Sequence, residues 1–143
     1  EAVEVDSSGR QDTDLDSEDV HQRDALPKGV EVFRITGPFF FGVAGELLDT
    51  LRRVGQSPKV IILRMRLVPL LDASGVQALE EFIAQALIAG AKVVLSGVQA
   101  QPQSMLERVH LGASSGKVFY AADFANAQSL ALGLLESPKP LLH

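Results

Sequence analysis

Residues 59–90 read KVIILRMRLVPLLDASGVQALEEFIAQALIAG. Val60 to Leu63 form a β-branched apolar run that reads as a buried strand. A short loop with Pro69 follows, and LDASG then opens an amphipathic helix. Ser74 stands where loop becomes helix, with Gln77 three residues on. Ser-x-x-Gln before an apolar run is a capping-box pattern: Ser74 accepts from the Gln77 N–H and Gln77 reaches back to the Ser74 N–H. The helix beyond carries Val76, Leu79, Phe82, Ile83, Ala86 and Leu87 on one stripe, with Gln77, Glu80, Glu81 and Gln85 toward water. Gly90 ends it as its C-cap. The stretch therefore commits a strand, a tight connection and a long helix to presenting one hydroxyl at a positive helix end.

Working outward, Lys92–Ser96 lacks alternation and reads as a strand buried on both faces. Gln101-Pro102 starts a short helix carrying Met105, Leu106 and Val109, and Val118–Tyr120 is a short strand. Asp123 caps a final helix with Phe124, Ala127, Leu130, Ala131, Leu134 and Leu135. On the other side, Val43, Leu47, Leu48, Leu51 and Val54 are spaced for a helix face, stopped by Gly55-Gln56-Ser57-Pro58. Phe39–Phe41 reads as a short strand after Pro38, and Val30, Val32, Phe33 and Ile35 as a strand before it. Strands and helices alternate with short connections, so right-handed crossovers predict an α/β domain with a mainly parallel sheet.

Charge divides the chain. Residues 1–26 hold nine carboxylates against Arg10 and Arg23, a net of −7, whereas the whole 143-residue chain is −5. This acidic stretch has few large apolar residues and reads as a disordered linker, or as an arm for a basic partner. Residues 27–136 form the domain and 137–143 a tail with two prolines. The near-neutral domain offers no electrostatic reason to bind nucleic acid. Cys is absent, which excludes disulfides, thiolate nucleophiles and Cys-ligated metals. No apolar run is long enough to span a bilayer and no signal peptide is visible. A first residue other than Met suggests a piece of a longer protein.

The residues do not assemble into a catalytic pattern. Ser74 lacks the first Gly of a Gly-x-Ser-x-Gly elbow. Of the three histidines, His21 lies in the acidic arm, His143 is terminal and His110 lies on a short helix as an ordinary surface residue, so no triad is indicated. Scattered single carboxylates give no metal site. Gly42 to Gly45 has no phosphate-loop Lys; its glycines read as backbone tightness rather than an anion cradle. Arg64 and Arg66 point to one face, toward a carboxylate or phosphate, or simply to water. Ser74 reads first as a structural N-cap. Phosphorylation there would add about −1.5 to −2 charge at a helix N-terminus, favoured by the dipole and opposed by Asp72, and could gate docking.

Asp72-Ala73-Ser74-Gly75-Val76, between a buried strand and an amphipathic helix, resembles the signature of the STAS domain (sulfate transporter and anti-sigma-factor antagonist). ILRMRLVPLLDASG (62–75) and VEVFRITGPFFFGVAGEL (30–47) are similar to the sulfate permease (SulP) form, and the likeness runs over roughly 28–135.

The resemblance implies a mixed sheet, with the strand at Val30–Ile35 antiparallel to part of it, of about five strands flanked by about four helices. It implies a non-catalytic, cytoplasmic C-terminal domain of a membrane anion transporter. Its partners would be the membrane domain of the same protein and a cytosolic regulator or kinase. In the antagonist branch the serine before Gly is phosphorylated, and it matches Ser74. That branch often has a second serine where this chain has Ala73. A soluble anti-sigma-factor antagonist is therefore the alternative, and a small ligand-binding or hydrolytic enzyme a third. STAS domains include nucleotide binders, but no residue pattern here points to a nucleotide or other cofactor. The surface to watch is Asp72–Val76.

Overall fold

The computed structural model describes residues 3–5, 28–39, 42, 45–47, 49 and 58–136. Five strands build one sheet: β1 (Val3–Val5), β2 (Val30–Thr36), β3 (Val60–Leu67), β4 (Lys92–Ser96) and β5 (Phe119–Ala121). They lie side by side in chain order. β2 through β5 are parallel, and β1 pairs antiparallel with β2, Val3 opposite Ile35 and Val5 opposite Phe33. Three helices follow β3, β4 and β5 in turn: α1 (Ala73–Ile88), α2 (Ala100–Arg108) and α3 (Phe124–Glu136). Residues 42, 45–47 and 49 are also helical, a fourth helical segment among the described residues.

Sequential strand order has a geometric consequence. Right-handed crossovers between neighbouring parallel strands place every connecting helix on the same face. Leu47, α1 and α2 accordingly share one apolar cluster with Phe33, Ile61, Leu63 and Met65 of the sheet. The opposite face, with Val32, Val60, Ile62 and Val94, is packed by α3 through Phe124, Ala127 and Ala131. Each strand of the sheet centre is thus covered on both sides, and β3 is buried from Val60 to Met65. In α1, Val76, Leu79, Phe82 and Ile83 are buried, each contributing about 1.5–3 kcal/mol.

Several expectations change at the element edges. The antiparallel pairing joins β1 to β2, the strand at Val30–Ile35, which runs parallel to β3 on its other side. Within the acidic stretch read as a linker, Val3–Val5 take a place in the sheet; the rest of residues 1–26 lie outside the described residues, as does the 137–143 tail. Phe39 makes an isolated parallel bridge with Leu71 rather than starting a strand, and Phe40 and Phe41 lie outside the described residues. The last strand sits one residue later than its apolar run suggests, at Phe119–Ala121. At the end of α1, Ala89 is the C-cap and Gly90 follows it with φ 93°. Gly90 N–H donates to the Leu87 carbonyl and Ala91 N–H to the Ala86 carbonyl, a Schellman arrangement that turns the chain into β4.

Candidate functional site

The C-terminal ends of β2, β3 and β4 converge where α1 and α2 begin. Past β2 and β3 the chain keeps pairing: Gly37 N–H donates to the Leu67 carbonyl and Phe39 N–H to the Leu70 carbonyl, both at 2.9 Å. This lays the backbone of Phe39 directly against the first turn of α1. A Cβ on Gly75 would run into the Phe39 carbonyl and come within 3.1 Å of Asp72 Oδ1. Gly75 is therefore required by a close backbone approach rather than by its dihedrals. Gly42 and Gly45, read as backbone tightness, would each point a Cβ into open space, so crowding does not explain them.

Asp72, not Ser74, is the N-cap of α1. Asp72 has extended dihedrals (φ −91°, ψ 178°), and its Oδ1 accepts from Gly75 N–H at 2.7 Å. Its carbonyl accepts from Val76 N–H at 2.8 Å, the first intrahelical bond. The Asp72 side chain thereby satisfies one of the four orphan amides that open the helix, and its carbonyl starts the intrahelical ladder. Ser74 is the second helical residue, exposed, and its hydroxyl donates to Asp72 Oδ1 at 3.2 Å. The capping box fails because the cap lies two residues earlier; Gln77 is exposed on the helix flank.

Two glutamines that sequence reasoning did not single out hold the loop in place. Leu71 N–H donates to Gln101 Oε1 at 2.8 Å, and Gln101 Nε2 donates to the Leu71 carbonyl at 3.1 Å. The side-chain amide of α2 thus mimics one rung of a β-ladder on the loop before Asp72. Gln99 Nε2 donates to the Arg66 carbonyl at 2.7 Å, fixing the end of β3. Side-chain-to-backbone bonds across some thirty residues leave no periodic trace, which is why the pattern missed them.

The resulting surface exposes Pro69, Leu70, Ala73, Ser74 and Gln77, with Val76 and Gly75 buried beneath. Neither α1 nor α2 carries an acidic residue in its first turn. Asp72 is the carboxylate of this loop, already engaged in capping. Such a site can present a neutral, small-residue contact surface whose charge one modification at Ser74 would change.

The paired arginines part company. Arg64 is 1% exposed and its guanidinium lies 3.7 Å from the Phe124 ring centroid, a cation–π contact under α3. Arg66 is exposed at the strand end. His110 is exposed in the turn after α2, with φ 63°. A shallow pocket of about 480 Å³ is lined by Glu107, His110 and 112–115, away from Ser74. Among the described residues no cluster of His, Cys, Asp or Glu could hold a metal ion.

Tyr120 closes the far side of the sheet top. Its hydroxyl donates to the Leu111 carbonyl at 2.7 Å. Burial pushes its phenol up to about 12; the Gln103 side chain opposes the shift and Glu107 adds to it.

A four-stranded parallel core in sequential order, an antiparallel edge strand and an aspartate-capped Asp-Ala-Ser-Gly helix start define an α/β module of the STAS type. The family model for the STAS domain matches residues 25–128, and the chain belongs to that family. It is 32% identical over 89 residues to the putative sulfate transporter YvdB of Bacillus subtilis (strain 168). That match covers 62% of this chain but 17% of the relative, so the chain spans about a sixth of the length of the curated relative it matches.

Among solved structures, a sulfate transporter family protein from Wolinella succinogenes is 38% identical, with a TM-score of 0.74 over 85% of this chain and 100% of that one. The STAS domain of a SulP transporter from Vibrio cholerae is 30% identical, with a TM-score of 0.71 over 85% and 97%. The murine anion transporter Slc26a9 shares the fold at 18% identity, with a TM-score of 0.64 over 75% of this chain and 18% of its own. Among the described residues, no helix is long and apolar enough to cross a membrane.

Proposed function

We propose that this chain is the cytoplasmic regulatory and interaction domain of a SulP-type anion transporter, and that it performs no catalysis of its own. The observation that carries the reading is the rigid presentation of Asp72–Val76. Asp72 caps the helix, Gly75 seats it against Phe39, and Gln101 pins the preceding loop, so Ala73 and Ser74 are held outward on a fixed platform. Fixed, exposed and uncharged backbone of this kind suits docking more than chemistry. The similarity to transporter STAS domains supports a partner in the membrane portion of the same protein, at its cytoplasmic face.

The test uses the full-length parent transporter in proteoliposomes. Ala73→Arg places a bulky charge on the exposed surface without touching the core. Transport should fall several-fold while the isolated domain melts as before. Unaltered transport in a folded variant would sink the docking surface, and a parent gene encoding no membrane spans would sink the transporter reading.

Ser74 sustains the alternative reading, a soluble anti-sigma-factor antagonist switched by phosphorylation. Its hydroxyl is exposed at the helix start, within reach of a kinase. Stoichiometric phosphorylation by a partner kinase, with partner release in Ser74→Glu, would favour that reading.

A further inference from the structure

The opposite end of the sheet carries a different kind of surface. Every lysine among the described residues sits at the entrance of a parallel strand. Lys28 and Lys117 precede β2 and β5 by two residues, Lys59 precedes β3 by one, and Lys92 is the first residue of β4. All four are exposed. Strand pairing sets them in one row: Lys59 N–H donates to the carbonyl of Gly29, next to Lys28, at 2.7 Å, Lys92 N–H donates to the Lys59 carbonyl at 2.9 Å, and the Val94–Phe119 register brings Lys117 level with Lys92. Neighbouring strands are about 4.8 Å apart, so the row extends over roughly 15 Å. Beside it, where α1 ends, Ile88 is 86% exposed and Leu87 40% exposed.

We infer that this edge docks onto an anionic lipid bilayer, with the lysine row on the headgroups and Ile88 at the acyl boundary. Three observations select that occupant. Lysine is a hydrated point charge, suited to a diffuse anionic plane rather than to one bidentate ligand. The row is linear and no described pocket includes any of its members. An apolar tip flanked by amines is the composition of interfacial anchors. Glu31, Glu107 and Glu136 lie toward the same end, against the four lysines and Arg108. Since the whole chain carries −5, attraction to an anionic plane has to come from a local basic patch such as this edge, which sets orientation as well as affinity.

The inference takes its cellular setting from the transporter reading. Its test does not, because vesicle binding reads the lysine edge and transport reads the signature loop. The full 143-residue chain is sedimented with phosphatidylcholine vesicles, with and without phosphatidylserine at about a third of the lipid. The chain should pellet with the anionic vesicles at about 0.1 M salt and be released near 0.5 M, as screening shortens the reach of the field. Replacing Lys28, Lys59, Lys92 and Lys117 by Gln should weaken partitioning by at least about 100-fold, from roughly five-fold per lysine. Ile88→Ser should weaken it several-fold, and Arg66→Gln, at the far end of β3, should leave it unchanged.

The lysines could instead serve only to offset the negative C-terminal ends of the helices. The quadruple variant would then lose stability and the wild-type chain would stay in the supernatant, which overturns the inference. Equal binding to neutral vesicles, or undiminished binding of the quadruple variant, overturns it as well. If that variant fails to fold, the four single variants carry the same test at about five-fold each.

Discussion

Gly75→Ala is the most direct probe of the platform. In an ordinary exposed helix position, Gly→Ala stabilises by about 0.5–1 kcal/mol, since the unfolded chain loses freedom and helix propensity rises. At position 75 the added Cβ meets the Phe39 carbonyl oxygen, with the Phe39 carbonyl carbon at 3.2 Å and Asp72 Oδ1 at 3.1 Å. These are backbone and cap atoms, not the far end of a flexible side chain. Relief requires moving the 37–39 strand extension, which is held by two backbone bonds, or opening the Asp72 cap. Overpacking of this kind costs about 1–3 kcal/mol, so a net loss of about 1–2 kcal/mol is expected after the propensity gain. With a urea m-value of about 1–3 kcal/mol/M, the midpoint should fall by roughly 1 M at unchanged slope. Gly133→Ala is the internal comparison, because Gly133 is exposed in α3 and its Cβ would meet open space. That variant should move the midpoint upward. If both variants shift the midpoint in the same direction, the close approach of Phe39 is not what Gly75 is for.

Three further outcomes are expected. Asp72→Ala should destabilise by about 1 kcal/mol in chemical denaturation and Ser74→Ala by under about 0.5 kcal/mol; the reverse order would restore Ser74 as the cap. Gln101→Leu leaves the Leu71 N–H and carbonyl without their partner, at a cost of about 1–3 kcal/mol, and should speed hydrogen exchange at the Leu71 amide; unchanged exchange would show the clamp to be incidental. The Tyr120 phenol, raised to about 12 from an ordinary 10, keeps its proton longer in the fold than in the unfolded chain. Stability from this group is therefore complete below pH 10 and lost as pH rises from 10 to 12, and phenolate absorbance should appear only near pH 12 in the folded protein; titration near pH 10 in the folded protein would refute the burial.

The sheet and its helices were legible because their signals are local. β3 opens on the apolar run Val60–Leu63 and β4 is centred on Val93–Leu95, and α1 shows its stripe at Val76, Leu79, Phe82 and Ile83, all of which are buried. The site was legible in position but not in detail. Asp72 and Ser74 are both good cap residues, and the Gln77 spacing favours the wrong one. The choice is made by Phe39, whose backbone lies against Gly75 and fixes where the helix begins. Phe39 and Gln101 lie about thirty residues to either side, so no local pattern contains them. β1 escaped for another reason: three residues in an acidic context are too short to show alternation, and they form a strand because β2 offers them an open edge.

The two ends of the sheet differ for one physical reason. In a parallel sheet all strands share a direction, so the loops at the C-terminal end carry the helix starts and those at the other end carry the helix stops. Capping chemistry accordingly gathers around Asp72 and Asp123, while lysines gather ahead of the strands, next to helix C-termini. In this chain that polarity separates two surfaces: a small-residue platform at Ala73–Val76 capped by Asp72, and a basic, apolar-tipped edge from Lys28 to Lys117. A module attached to a membrane protein needs one surface for its partner and a second to set its orientation. On the proposed transporter reading, placing them at opposite ends of one sheet means that tilting the edge off the lipid moves the platform with it, so a Lys→Gln variant should alter cross-linking of Ser74 to the proposed membrane portion even though no substituted residue touches Ser74. Cross-linking unchanged by the lysine variants would separate the two surfaces and leave the platform to act alone.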